Sequence, residues 1–162
     1  MNLTLKELLT YSEEEQDRWQ NWFASHGDEP LRFPLSGDRM PSLGSMIQHA
    51  LGTELWFAEH LGGAAITEWW TEPAGAAASL FELGTAAKRK LRQLIEHVPP
   101  EEWGRMVELQ GGGRSFRVSV RKAVGNALVH EIRHWAQVAI IVRQHGLAPP
   151  GDHDLILSRV LE

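Results

Sequence analysis

Residues 121–145, RKAVGNALVHEIRHWAQVAIIVRQH, carry the longest unbroken pattern in the chain. Val124, Ala127, Leu128, Trp135, Val138 and Val142, with Val120 just ahead, recur at helical spacing and mark one apolar face of a long α-helix. Gly146 and the pair Pro149-Pro150 stop it. Along the flank of that stripe His130 and His134 stand four residues apart, with Gln137 and Ile141. Positions four apart lie one above the other on a helix, so the two imidazoles can converge on one ion. Ala123 and Ala127 are small neighbours that leave space beside them.

Working outward, three more segments have the same period. Thr4-x-x-Glu7 is a capping box that opens a first helix, whose face is Leu5, Leu8, Leu9, Ser12, Gln16, Trp19 and Phe23. A Pro/Gly-rich stretch from His26 to Pro41 ends it and predicts a long surface loop. A second helix starts near Ser42, repeats Leu43, Met46, Ile47, Ala50, Glu54, Phe57 and Leu61, and closes at Gly62-Gly63. A third is expected to begin near Ser79, where Ser79-x-x-Glu82 reads as another capping box, and to run through Leu80, Leu83, Ala87, Leu91, Leu94 and Val98 to Pro99-Pro100. Then the period changes. Residues 105–110 and 115–120 flank Gly111-Gly112-Gly113-Arg114, and the second arm alternates apolar with polar side chains, which predicts a short β-hairpin. After the fourth helix, Asp152 to Leu161 suggests one or two further helical turns.

Four amphipathic helices must bury their stripes against one another, which makes the expected fold all-α, a four-helix bundle with a β-hairpin inserted before the last long helix. The connections are too long for a minimal up-down-up-down arrangement, so a crossover or an elaborated loop is expected. A length of 162 residues fits one domain, expected to span 1–162. With Cys 0, disulfides, thiolate zinc clusters and a cysteine nucleophile are excluded, and any transition metal has to be held by histidine and carboxylate. Sixteen basic and 21 acidic residues give a net charge of −5, which argues against a nucleic-acid partner. No apolar window is long enough for a transmembrane helix, and the N-terminus lacks the basic and apolar regions of a signal peptide, so a cytoplasmic location is expected.

The string His130-Glu131-Ile132-Arg133-His134 also matches H-E-x-x-H, in which two histidines bind zinc and the glutamate acts on the metal-bound water. A zinc peptidase is therefore a rival reading, with His153, Asp154 or Glu162 as downstream third ligand, although Gln137 and Ile140 stand where extended motifs of that kind need Gly and His. On the second helix, His49 and His60 lie about 16 Å apart along the axis and cannot serve the same ion. His26, His97, His145 and His153 fall at helix ends or in loops, the places of ordinary exposed or dipole-paired histidines.

The segment Leu43-Gly44-Ser45-Met46-Ile47-Gln48-His49-Ala50-Leu51-Gly52-Thr53-Glu54-Leu55-Trp56 resembles the first histidine segment of the DinB-like (DinB/YfiT) metalloenzyme family, and His130-x-x-x-His134-Trp135-Ala136-Gln137 resembles its second. Trp135 and Ala136 stand where the family usually has Arg-Gly, while Gln137 matches. The resemblance runs over nearly the whole chain. It implies a four-helix bundle with three histidines on one divalent metal, His49, His130 and His134. Within that family some members are transferases using low-molecular-weight thiols and others look like metal-dependent hydrolases.

Three neutral imidazoles leave a coordination position open, the mark of a catalytic site, and zinc, nickel and iron all suit such a set. The expected function is therefore that of a divalent-metal-binding protein, a metal-dependent enzyme acting on a small molecule, with a low-molecular-weight thiol as one candidate partner. The alternative is a non-enzymatic bundle whose metal site is vestigial or structural. Glu131 points into the apolar stripe and is either a catalytic base or ligand partner, or one half of a buried pair with an arginine from another helix. Glu54 is placed similarly. Trp19, Trp56 and Trp135 can line a pocket near the histidines, whereas Trp22, Trp69, Trp70 and Trp103 fall near helix ends and loops, where they would cover the bundle or form a homodimer interface.

Overall fold

A computed structural model describes residues 3–36, 40–151 and 153–160. Helix α1 spans Leu5–His26. Its capping box is formed: the Thr4 hydroxyl accepts from the Glu7 N–H at 3.2 Å, and the Glu7 carboxylate accepts from the Thr4 N–H at 2.7 Å. Helix α2, Leu43–Gly62, is capped the same way by Ser42 and Ser45 and ends on Gly63 in the left-handed region. The stretch between α1 and α2 is not simply a surface loop. It holds a 3-10 turn, Glu29–Arg32, whose Pro30 and Leu31 are buried, and Pro34 bridges to Ser42. Leu31 joins the main apolar cluster, which draws the segment inward.

Helix α3 spans Ala77–His97, so it begins ahead of the expected Ser79, and the Ser79/Glu82 pair lies inside its first turns. Ala76, its first flanking residue, offers no side-chain cap. The cap comes from far along the chain, where Asp28 Oδ1 accepts the Ala77 N–H at 2.9 Å. Strands β1, Met106–Gly111, and β2, Arg114–Ser119, form the antiparallel hairpin, with Gly112 and Gly113 at positive φ in its two-residue turn. Helix α4, Val120–Gln144, follows directly. The tail forms one 3-10 turn, Leu155–Leu157, and returns to α1, where the Tyr11 hydroxyl donates to the His153 carbonyl. Asp152 and Leu161, the ends expected for that segment, lie outside the described residues.

Two apolar clusters show how the helices run. One gathers Trp19, Phe23, Leu43, Ile47, Leu80, Phe81, Trp135 and Val142. The other gathers Leu9, Ala58, Leu91, Val124 and Leu128. The second cluster takes the beginnings of α1 and α4 and the later parts of α2 and α3. Helices α1 and α4 thus run one way, and α2 and α3 the other. Residues 64–76 must cross the length of the bundle to join two parallel helices, and this is the crossover that the long connections predict. Among the described residues, no helix is long and apolar enough to cross a membrane.

Candidate metal centre and its cleft

The same apolar periodicity that packs α2 against α4 brings His49 to face His130 and His134. One ligand nitrogen from each imidazole lies within 4.8 Å of the other two. The ring centroids are 5.1 Å apart for His49 and His130, 5.2 Å for His49 and His134, and 4.5 Å for His130 and His134. The Nε2 atoms of His130 and His134 are 3.3 Å apart. Two nitrogens bound to one tetrahedral zinc at 2.0–2.1 Å would be separated by about the same distance. On α2, the Thr53 hydroxyl lies 3.4 Å from His49 Nδ1. The triad includes no carboxylate among the described residues.

Burial is the main cause that pushes His130 down to about 4, and the neighbouring charges of His134, His49 and Arg133 add to it. Burial also lowers His134, with the Gln137 side chain acting in the opposite direction. Both shifts favour the neutral imidazole, whose lone pair is open to a metal rather than to a proton. The Nδ1 atoms of His130 and His134 are shut from solvent and have no hydrogen-bond partner among the described residues. The donor set and the nitrogen spacing fit a divalent cation.

His49 and His130 form part of the wall of a cleft of about 610 Å³, a size typical of small-molecule sites. The other walls come from three separate segments: Thr53, Trp56 and Phe57 of α2, Trp69 and Trp70 of the crossover, and Gln110, Gly111, Gly112 and Phe116 of the hairpin. The crossover is pinned to α2. Gln48 Nε2 donates to the carbonyls of Trp69 and Glu72, each at 3.0 Å, and Glu59 accepts from the Thr67 N–H and hydroxyl. Gly52 makes this approach feasible, because a Cβ there would collide with the Trp69 ring.

Glu131 lies elsewhere in the bundle. Its Oε2 accepts from Lys88 Nζ at 2.6 Å and from the Ser12 hydroxyl, and its Oε1 accepts from Trp135 Nε1 at 2.9 Å. Lys88 Nζ also donates to both oxygens of Glu54 at 2.7 Å and to Ser12 Oγ at 2.7 Å. The partner expected for Glu131 was an arginine, but it is this lysine of α3. Each helix contributes one member, all four are buried, and along every helix they fall between the two apolar clusters. Burial, then the charge of Glu131, pushes Glu54 up to about 8, with Lys88 pulling the other way. Burial works against the Lys88 charge, but the two carboxylates outweigh it and hold the ammonium above its usual range.

The tryptophans are sorted differently from their order in the sequence. Trp56 lines the cleft, as its spacing suggests, but Trp19 and Trp135 are fully buried and stack on each other with centroids 5.6 Å apart. Trp69 and Trp70, read as covering or dimer-forming residues, line the cleft instead. Trp22 is buried and donates to the Ala148 carbonyl at 2.7 Å, and Trp103 packs against the smaller cluster. The signal that could have found Trp69 is Gly52, a residue that costs an exposed helix about 1 kcal/mol relative to Ala and so hints at a close neighbour. The remaining histidines have ordinary surroundings. His60, His97 and His145 each place Nδ1 near the carbonyl four residues back, His26 does so while stacking on Trp22, and His153 Nδ1 lies 2.7 Å from Glu15.

A model of the DinB family matches residues 1–158. No curated protein matches the sequence. Among solved structures, the crystal structure of a DinB-like protein (YjoA) from Bacillus subtilis superposes with a TM-score of 0.61 at 16% identity, covering 94% of this chain and 99% of that one.

Proposed function

The chain belongs to the DinB family, and from that premise we propose that it is a metal-dependent enzyme acting on a small molecule, with His49, His130 and His134 as the ligands of one divalent ion. The observation that carries this reading is the meeting of three imidazoles within 4.8 Å of one another, two of which, His49 and His130, help to wall an apolar cleft. A divalent ion bound there would supply Lewis acidity, bringing the pKa of a bound water to about 7 or holding a substrate thiol as thiolate. Three protein ligands would leave a coordination position for water or substrate, and His49 and His130 would hold the ion at the wall of the cleft. The chain has no cysteine, so a thiol nucleophile would come with the substrate, as in a transferase using a low-molecular-weight thiol; a hydrolase of the same site would use water.

Glu131 serves this site by holding α4 in place. Its three donors occupy both oxygens in a layer closed to solvent, which leaves it no route to a proton on substrate. The same surroundings disfavour a zinc-peptidase chemistry that would need this carboxylate at a metal-bound water. Elemental analysis of the purified chain tests the metal reading. One divalent ion per chain is expected, with His49→Ala, His130→Ala and His134→Ala each losing it; full occupancy in His49→Ala would overturn the assignment.

A further inference from the structure

We propose that the cleft before the histidines receives the uncharged, planar aromatic ring of the substrate, laid against the indoles of Trp56, Trp69 and Trp70. The inference deepens the metal reading and rests on it for the substrate's other end, the group that reaches His49 and His130.

Three observations lead to it. The first is chemical. Five aromatic side chains wall the cleft, and apart from the two imidazoles the polar side chains there are Thr53 and Gln110, neither charged. Charged residues make up 23% of the chain, yet among the described residues no Lys, Arg, Asp or Glu lines this space. Three other clefts are different: Lys90, Glu102 and Arg105 line one, Asp28 and Arg32 another, and Asp17 and Arg18 a third. A carboxylate or phosphate on the distal part of a substrate would lose its hydration here with no cation to replace it. A ring loses little, and its faces and edges suit the offset and perpendicular contacts that aromatic walls favour.

The second observation is that the walls are held ready. Trp69 lies over Gly52 with its backbone tied to Gln48, and its ring meets Trp70 at 85° with centroids 5.5 Å apart. Trp56 meets Phe57 at 84° with centroids 5.0 Å apart. The third is at the mouth, where Trp70 is 51% and Phe116 44% exposed. Two large rings left in water, one from the crossover and one from the hairpin, are apolar surface that a bound ring would cover. Together they commit the cleft to a flat, uncharged ring at the distal end of a ligand whose near end is metal-binding.

The test uses ligands that share a monodentate metal-binding head and differ in their tail: 4-methylimidazole, 4-phenylimidazole and the carboxylate 4-(imidazol-4-yl)benzoate, titrated into the cobalt-loaded full-length chain and followed by cobalt absorbance. 4-Phenylimidazole should bind at least tenfold tighter than 4-methylimidazole, and the carboxylate should be the weakest. In the double variant Trp70→Ala, Phe116→Ala, which changes two exposed side chains, the phenyl advantage should fall to threefold or less. Equal affinities for phenyl and methyl, a preference for the carboxylate, or a phenyl advantage unchanged in the double variant would overturn the proposal. If the chain takes up no cobalt, the metal reading fails separately. Equilibrium dialysis of the same ligands against the metal-free chain then decides for the cleft, a phenyl preference supporting the inference and its absence overturning it.

Discussion

Lys88 Nζ meets Glu131 Oε2 at 2.6 Å, one residue along the chain from His130. The same ammonium holds Glu54 of α2, the helix that carries His49. One buried cation therefore draws together the two helices that supply the three imidazoles. Ser12 adds α1 to the same point. A polar layer of this kind stabilises only while every member is satisfied, because each unpaired charge would keep its desolvation cost.

Lys88→Met removes the ammonium that the two buried carboxyl groups, Glu54 and Glu131, share. Removing one partner of a buried pair typically costs about 3–5 kcal/mol, and a loss in that range is expected in urea denaturation at pH 7. Adding Glu54→Leu and Glu131→Gln to Lys88→Met should recover most of it, since the layer is then uncharged while Trp135 keeps an acceptor. A Lys88→Met chain as stable as the parent would contradict the ion-pair account.

The same layer sets a pH dependence. Glu54 sits at about 8 in the folded chain against 4.5 for the free carboxyl. Between those values the unfolded chain has released the proton that the folded chain retains, so stability falls as pH rises from about 4.5 to 8. The contribution of Glu54 is thus fully present below pH 4.5 and lost through pH 8. Glu54→Gln, neutral at every pH, should remove this slope. Chemical denaturation of the metal-free chain at intervals from pH 5 to 8 reads the difference, and parallel curves for parent and variant would refute the assignment.

Gly52→Ala separates cleft from fold. Alanine is the better helix former by about 1 kcal/mol, but its methyl group cannot coexist with the Trp69 ring in its present place. The expected result is a chain of similar melting temperature whose Trp69 has swung away from α2, with a changed tryptophan emission and at least a tenfold weaker grip on 4-phenylimidazole. Metal content should stay at the parental level, because His49 and its Thr53 neighbour are untouched. Unchanged emission and affinity would mean that Trp69 does not depend on the bare backbone at Gly52.

Much of this was legible in the residues because it is local. Spacings of three and four fix the apolar faces, Thr4 with Glu7 and Gly63 fix two helix ends by bonds that span a single turn, and Gly112-Gly113 fixes the hairpin turn. His130 and His134 share a face for the same reason, as a matter of helical pitch. The cap of α3 is beyond the reach of local pattern because Asp28 lies 49 residues away, and Ser79 has the right residue type without the right neighbours.

The sequence by itself determined four amphipathic helices, a hairpin before the last, a histidine pair four residues apart and a membership that points to His49 as the third. Only the tertiary structure decided which groups meet across the bundle. Glu131 is bound to Lys88 rather than to an arginine, Trp19 and Trp135 stack in the core, and Trp69 and Trp70 form the cleft wall. Periodicity orients a side chain about its own helix axis, but its partner depends on the direction and closeness of the neighbouring helix. Here those are set by a crossover that runs the length of the bundle and is held to α2 by Gln48, Glu59 and the bare backbone of Gly52.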